Sequence, residues 1–213
     1  MVNWSFLPRM RGLVSAKLLS SAGLLGLLLV SGCRTVNPVN VDGNFIASPA
    51  LAERSPGVVS VLPVEDGSGG AVSRHLTFMR QELRRQLSDR LYAATTEQWV
   101  DASLRGSTSL SESILTPASL ERVAAAGPDD AVFAVRVERW DESTLLANRR
   151  VRFRLQAALV AKDGTQLWSG DLEGTVKAGG AGAAPIGKDA AARSCVELSV
   201  RQLLLRLPDR VVR

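Results

Sequence analysis

The chain has 213 residues, of which 26 are Lys or Arg and 21 are Asp or Glu, giving a formal net charge of +5. Three of the basic residues lie in the first 32 positions, so the remaining 181 residues carry 23 basic against 21 acidic side chains. A net charge of +2 is not that of a nucleic-acid-binding protein. The 181 residues suffice for one well-packed domain.

The amino-terminal segment has the organisation of an export signal. Residues 1–32 contain no Asp or Glu, and Arg9, Arg11 and Lys17 precede an apolar stretch from Leu18 to Val30. A stretch of about a dozen residues suits a signal peptide and is short for a membrane-spanning helix. A spanning helix with a chance cysteine is the alternative, and the Ser and Gly residues in and near the stretch disfavour it.

The signal ends at Val30-Ser31-Gly32-Cys33, which resembles the bacterial lipobox. The resemblance implies cleavage between Gly32 and Cys33, and acylation of the Cys33 thiol and of the new amino terminus. Two or three acyl chains anchor a protein stably, whereas one holds it marginally. By the sorting rule of enterobacterial lipoproteins, Arg34 at the next position favours the outer membrane. We therefore predict a palmitate-bearing lipoprotein, anchored in the outer membrane and facing the periplasm.

The segment after the signal, residues 33–56, is predicted to be a lipidated tether that clears the membrane surface. It shows no sustained hydrophobic periodicity. Its residues that interrupt regular structure are Pro38, Gly43, Pro49 and Pro56. Residues 57–213 are then predicted to form a single domain.

The first half of this domain is predicted to alternate strands and helices. The run "GVVSVLP" (57–63) is typical of a buried strand, and residues 64–70 form a loop. In residues 73–92 apolar side chains recur every three or four positions, which predicts a helix with Ser73 as its N-cap. Residues 97–104, "EQWVDASL", are predicted to form a second short strand.

A second helix is predicted in "TPASLERVAAAG", with Thr116 as its N-cap, Pro117 in its first turn and Gly127 as its end. Three strands with a period of two then follow. The remaining predicted elements are the strands 131–140, 151–160 and 166–176, the hairpin turn "KDGT" (162–165) and a final helix over 188–207.

The resulting order, β-α-β-α-β-β-β-α, predicts a single domain of the α/β (α+β) class. A β-α-β opening favours parallel pairing through a right-handed crossover. Three consecutive strands with short connections favour an antiparallel C-terminal meander. We therefore expect a mixed sheet with helices packed on at least one face.

Loss of the signal leaves Cys195 as the one free thiol, so no intramolecular disulfide can form. Its place in an apolar helical pattern predicts a buried, inert side chain; a bridge between two copies is the alternative.

A motif that resembles a nucleotide-binding loop lies at Gly182–Asp189, "GAAPIGKD". It matches G-x-x-x-x-G-K, but Asp189 stands where Ser or Thr would bind magnesium, and Pro185 lacks the backbone N–H that a phosphate needs. We predict a Gly/Ala connection to a helix, with no nucleotide and no other cofactor.

The sequence offers no catalytic constellation. The one histidine, His75, is predicted to be a solvated surface residue. The pair Asp129-Asp130 is predicted to lie at a junction between a loop and a strand. No nucleophile elbow and no set of zinc ligands with fixed spacing is present. We therefore predict that the protein is not an enzyme and holds no metal, with an envelope hydrolase as the alternative from another class.

One surface is a candidate for partner binding. If the strands 131–140 and 151–160 pair, Arg136, Arg152 and Arg154 lie on the same face and could meet an acidic partner. A plain solvated face is the alternative. The residues Trp99, Trp140 and Trp168 are each expected in the core.

Three segments, together with the lipobox, carry a resemblance to known proteins: "VVSVLPVEDGSG" (58–69), "AVFAVRVERW" (131–140) and "AALVAKDGTQLWSG" (157–170). They resemble periplasmic lipoproteins with a domain like the amino-terminal domain of the Tol-system translocation protein. That group includes the curli-secretion lipoprotein, the lipoprotein activator of penicillin-binding proteins and neisserial-type surface lipoproteins. The resemblance covers residues 57–207 and concerns fold more than function.

The resemblance implies function by binding, either as an adaptor between envelope layers or as a ring. A curli-type channel needs extra amphipathic hairpins, and "DESTLLANRR" (141–150) is too short for one. The first hypothesis is therefore a lipid-anchored, non-enzymatic adaptor that binds another envelope protein. The alternative is a subunit of an oligomeric secretion or transport assembly.

Overall fold

The computed structural model describes residues 39–105, 115–179 and 187–212. Within these residues, seven strands form one mixed sheet and six α-helices accompany it. In chain order they are β1 (Val39–Ala47), α1 (Pro49–Arg54), β2 (Val58–Val61), β3 (Glu65–Asp66), α2 (Leu76–Leu87), β4 (Ala93–Ala94), α3 (Glu97–Arg105), α4 (Pro117–Ala126), β5 (Ala131–Asp141), α5 (Leu145–Asn148), β6 (Arg150–Ala161), β7 (Gln166–Lys177) and α6 (Lys188–Leu204).

The sheet has the order β1-β7-β6-β5-β2-β4, and the short β3 also pairs with β5. The pairs β5/β6, β6/β7 and β7/β1 are antiparallel, whereas β2 is parallel to both β4 and β5, and β3 is parallel to β5. The mixed sheet with an antiparallel meander is thus confirmed. Its hairpin turn is also confirmed at 162–165, where Gly164 adopts a positive φ of 85° that favours glycine.

The predicted tether is wrong for residues 39–54, which belong to the folded domain. Strand β1 pairs with β7 over its whole length, from Val39 opposite Val176 to Ala47 opposite Trp168. Helix α1 follows at once, with Ser48 as its N-cap, and its Leu51 is buried in the core. The folded region therefore begins at least 18 residues before the predicted boundary at 57.

The strand predicted at 97–104 is also wrong, because this segment forms helix α3. Val100 and Leu104 are its buried side chains, and their spacing of four residues puts them on one helical face. The second parallel strand is the two-residue β4, Ala93–Ala94, just upstream.

The three predicted helices are confirmed as α2, α4 and α6, but only one of the two predicted N-caps is confirmed. Thr116 caps α4 by accepting a hydrogen bond from Ser119 N, and Gly127 ends that helix. Ser73 caps nothing, because it lies inside a 3₁₀ turn (Ser73–His75) that precedes α2, and its hydroxyl donates to Gly70 O.

The core lies on both faces of the sheet. On one face, α2, α6 and α1 pack against a large cluster that includes Phe133, Phe153 and Trp168. On the other face, α3 and α4 cover a smaller cluster around Leu62, Val132 and others. Since the smaller cluster stops at Ala134 and Ala158, the helices within the described ranges leave the rest of that second face uncovered.

Candidate functional site

The uncovered part of the sheet, here called the open face, is built from one side of β5, β6, β7 and β1. The strand register arranges its side chains in three rows, each crossing all four strands. The rows are Asp141, Arg152, Thr175 and Asn40; Arg139, Arg154, Glu173 and Asp42; and Arg136, Gln156, Asp171 and Asn44. All of these residues are exposed or half-buried.

The three arginines singled out from the sequence do share this face. Arg136 lies opposite Gln156, so it points to the same side as Arg152 and Arg154 on β6. A register shift between Val137 and Arg139 adds Arg139 to that side.

The arginines are matched by carboxylates rather than forming a bare positive patch. Arg154 makes two bonds to Asp171, Nε to Oδ1 at 3.1 Å and Nη2 to Oδ2 at 2.6 Å, and this pairing raises the pKa of Arg154. Arg136 contacts Glu65 at 2.9 Å and Glu138 at 2.7 Å. The open face therefore presents both signs of charge at fixed positions.

Apart from Asp141 at the end of β5, the charge is graded across the open face, from arginine on β5 and β6 to acid on β7 and β1. Arg139 reaches Glu173 on β7 at 3.2 Å, and Asp42 lies beyond it on β1. Sequence reasoning missed these counter-charges. The signal was present, since Asp171 and Glu173 alternate with Leu172 in the same period of two as the arginines.

A cleft borders the open face where α4 begins. It is lined by Ile46, Leu115, Pro117, Leu120, Gln156 and Ala158, among others. The Ile46 side chain is 60% exposed, although its strand is well paired. The cleft thus places exposed apolar surface directly beside the third row of polar side chains.

His75 is not on the surface, as the sequence predicted, but 5% exposed. Its Nε2 lies 2.8 Å from Glu142 Oε1, which also accepts a hydrogen bond from Trp140 Nε1 at 2.9 Å. Arg74 pairs with the other oxygen of Glu142. The cluster of Arg74, His75, Trp140 and Glu142 fastens the start of α2 to the end of β5.

This cluster sets the pKa of Glu142. Burial raises the pKa of the carboxyl, but hydrogen bonds from Trp140 and His75 and the charge of Arg74 outweigh burial and lower it below its ordinary value of 4.5. A lowered pKa means that Glu142 stabilises the folded chain above about pH 4.5, and that this contribution is lost as the pH falls through the folded-state pKa.

We expect Glu142→Gln to lower the free energy of unfolding by about 1–3 kcal/mol near neutral pH, because buried donors lose a charged acceptor. The difference from the wild type should shrink as the pH falls below 4.5 and through the folded-state pKa, because the carboxyl then takes up a proton. Urea unfolding near neutral pH and at about pH 3 compares the variant with the wild type. The exposed Glu53→Gln is the control and should stay within about 0.5 kcal/mol at both; a pH-independent loss in the Glu142 variant would contradict the assignment.

The remaining candidate groups have structural roles. Asp130 Oδ2 accepts from Gly57 N at 2.9 Å and Val58 N at 3.0 Å, and Asp129 accepts from the Ser60 hydroxyl. These contacts confirm a loop-to-strand junction. Cys195 is fully buried, as predicted, and burial raises its pKa to about 11, which disfavours the reactive thiolate.

The three tryptophans differ in their exposure to solvent. Trp140 and Trp168 lie in the core, as predicted, but Trp99 is 68% exposed. Its exposure follows from the helix that replaces the predicted strand, since neighbouring Val100 takes the buried side of α3.

Other predicted sites lie wholly or partly outside the described residues. Gly32 and Cys33 are among these, so cleavage and lipidation stay predictions. Most of the Gly182–Asp189 motif also lies outside, although α6 does begin at Lys188, with Asp189 in its first turn. Within the described ranges, no group of His, Cys, Asp or Glu side chains could hold a metal ion. Of the helices in those ranges, none is long and apolar enough to cross a membrane.

Comparisons with protein-family models and with curated protein sequences found no match. Solved structures with a similar fold include the PelC dodecamer from Paraburkholderia phytofirmans, at 14% identity and a TM-score of 0.47, covering 81% of this chain and 100% of that one. Lipoprotein GNA1162 from Neisseria meningitidis is 19% identical, with a TM-score of 0.45, and the match covers 71% of this chain and 99% of that one. The LpoB C-terminal domain from Salmonella enterica is 19% identical, with a TM-score of 0.41, and the match covers 57% of this chain and 82% of that one.

Two of these structures are thus a neisserial lipoprotein and an LpoB domain. The finer resemblance to the Tol amino-terminal domain stays a prediction. At such low identities and TM-scores we transfer no residue role, partner or assembly from them to this chain.

Proposed function

We propose that this chain is an exported lipoprotein, held through acylated Cys33 in the outer membrane and facing the periplasm, and that it acts as a non-enzymatic adaptor. The open face is the surface through which it binds another envelope protein. The lipobox at residues 30–33 supports the anchor. The observation that carries the binding role is the set of three charged and polar rows held in register on four paired strands.

The open face has two properties that suit protein binding. Its charges are held by strand pairing and by the Arg154–Asp171 contact, so a partner meets them in a fixed arrangement, which favours specificity and rapid association. Ile46 and the cleft beside it offer an apolar anchor point at the edge of the polar rows. A suitable partner presents acidic groups opposite β5 and β6 and basic groups opposite β7 and β1.

Site-specific photocrosslinking in cells tests this proposal. A photoreactive amino acid at Arg152 or at Glu173, both exposed on the open face, should give the same adduct with one other envelope protein. The same probe at Lys162, exposed in the hairpin turn, should give none. Charge reversal by Arg152→Glu should lower the adduct yield from position 173 about tenfold, equivalent to about 1.4 kcal/mol, whereas Lys162→Glu should leave it unchanged.

Other outcomes would point elsewhere. Equal yields from position 162 and from the open face would contradict a specific binding surface. Adducts formed only with a second copy of this chain would favour the alternative, a subunit of an oligomeric assembly. Native mass spectrometry of the detergent-extracted protein would then give the number of copies.

A further inference from the structure

We propose that one end of the sheet is a membrane-contacting surface that faces anionic phospholipid headgroups. This surface, here called the basal end, consists of the exposed turn of α5 and the adjoining cations: Leu146, Arg149, Arg150 and Lys177. The inference rests on the proposed lipid anchor at Cys33 and adds to it an orientation of the domain.

The first observation is the short distance along the chain between the anchor and the fold. Strand β1 begins at Val39, so only five residues separate it from Cys33. Even fully extended, these residues span about 20 Å. The acyl chains of Cys33 would therefore enter the bilayer within about 20 Å of Val39, which holds the domain close to the membrane surface.

The second observation is the strand register, which joins Val39 to the basal end. Val39 pairs with Val176 on β7, Val176 pairs with Val151 on β6, and Arg150 pairs with Lys177 one step further. With neighbouring strands about 4.8 Å apart, Arg150 lies roughly 10 Å sideways from Val39. The short chain to the anchor thus leaves the domain at the same end as these cations.

The third observation is the chemistry of the basal end. Leu145 is buried and holds the turn, whereas Leu146 is 75% exposed and presents an apolar side chain at this end of the sheet. Arg150 is exposed and Lys177 half-exposed at the same end. An exposed apolar side chain next to cations suits contact with an anionic bilayer.

The opposite end of the strands carries charges of both signs. Asp129 and Asp130 precede β5 there, and in the hairpin turn the exposed Lys162 adjoins Asp163, which pairs with Arg54. At the basal end, Glu142 is largely buried against Arg74 and His75, and Asp141 is half-buried at the end of β5. The position of the anchor, together with the exposed cations beside it, therefore favours an upright domain, with the basal end towards anionic lipid and the open face exposed sideways to a protein partner.

A fluorescent probe on the full-length lipidated protein tests this orientation. Because Cys33 is acylated and Cys195 is buried, an introduced cysteine is the one thiol open to labelling. NBD is attached to Leu146→Cys or, as a matched control, to Lys162→Cys. The twelve residues of β6 separate the two positions by about 36 Å. Both proteins are reconstituted into vesicles of phosphatidylethanolamine and phosphatidylglycerol and floated in a density gradient.

We expect both proteins to float, the probe at 146 to show a blue-shifted, brighter emission that doxyl-labelled lipid quenches, and the probe at 162 to show neither. Flotation without a blue shift at 146, or with equal shifts at both positions, would overturn the inference while leaving the anchor intact. Failure to float would overturn the anchor, and the inference with it.

A charge-reversed variant separates lipid recognition from mere tethering. Arg150→Glu combined with Lys177→Glu should leave flotation unchanged and abolish the blue shift at 146. Lys162→Glu, which reverses an exposed cation in the hairpin turn at the opposite end, should leave the shift in place. Vesicles of phosphatidylcholine alone should reduce the shift in the unreversed protein, because they lack the anionic headgroup. A shift that persists unchanged in the reversed variant would overturn the charge recognition.

Discussion

Replacing Cys33 with alanine is expected to abolish lipidation and leave the precursor uncleaved between Gly32 and position 33. In the lipobox that the sequence resembles, the thiol accepts diacylglycerol before the signal is removed, so alanine blocks both steps. The free energy of membrane binding that the acyl chains supply is then lost as well. Each CH₂ of an acyl chain buried in the bilayer contributes about 0.8 kcal/mol, and two or three chains are involved. Metabolic labelling with palmitate, followed by gel mobility and membrane flotation, measures all three losses.

The other cysteine provides the matched control. Cys195→Ala removes a thiol of the same chain, but one that is fully buried in α6 and is not part of the signal. It should retain the label, the cleavage and the flotation of the wild type. Palmitate incorporation into the Cys33→Ala protein at the normal level would contradict the lipobox, and a spanning signal helix would then regain support.

The antiparallel meander could be predicted because local and long-range requirements agree in it. In β5 and β6, apolar and charged side chains alternate along the strand, and the KDGT turn supplies a glycine where a positive φ is needed. Helix α4 was predictable for the same reason, since Thr116, Pro117 and Gly127 mark its ends. The structure of such segments can therefore be predicted from their own residues.

Strand β1 could not be predicted from propensity because its centre, Asp42-Gly43-Asn44, is rich in residues that disfavour strands. What overrides propensity is tertiary pairing with β7. Its Gly170 lets β1 lie close, since a Cβ there would come within 2.8 Å of the rings of Phe45 and Trp168. The one local signal was the alternation of Val39, Val41 and Phe45 with polar residues.

The candidate site was only half predictable. Arg136, Arg152 and Arg154 share a face because the period of two is visible within each strand. Two of the carboxylates that pair with these arginines lie on other strands, Glu65 on β3 and Asp171 on β7. Pairing across strands depends on register, which single-strand periodicity does not supply. His75 was misplaced although it precedes Met79, Leu83 and Leu87 at steps of four, a spacing that puts it on their buried side.

Trp168→Ala is expected to lower the free energy of unfolding by about 3–5 kcal/mol, the range for removing a large aromatic side chain from a core. Trp168 is 1% exposed and stacks against Phe45 of β1 and Phe133 of β5, each with ring centroids 6.0 Å away. Its Nε1 donates to Arg206 O at 3.3 Å, just beyond α6. One side chain thus ties the edge strand, the centre of the sheet and the last helix together.

Trp99→Ala makes the same chemical change at a site that is 68% exposed, and should alter stability by no more than about 0.5 kcal/mol. Urea unfolding followed by far-ultraviolet circular dichroism compares the two variants directly. Since Phe45 lies in the segment first expected to be a tether, the loss in Trp168→Ala also depends on β1 being part of the core. A loss at Trp168 as small as that at Trp99 would mean that β1 is not docked on β7, and would restore a long, flexible connection to the lipid.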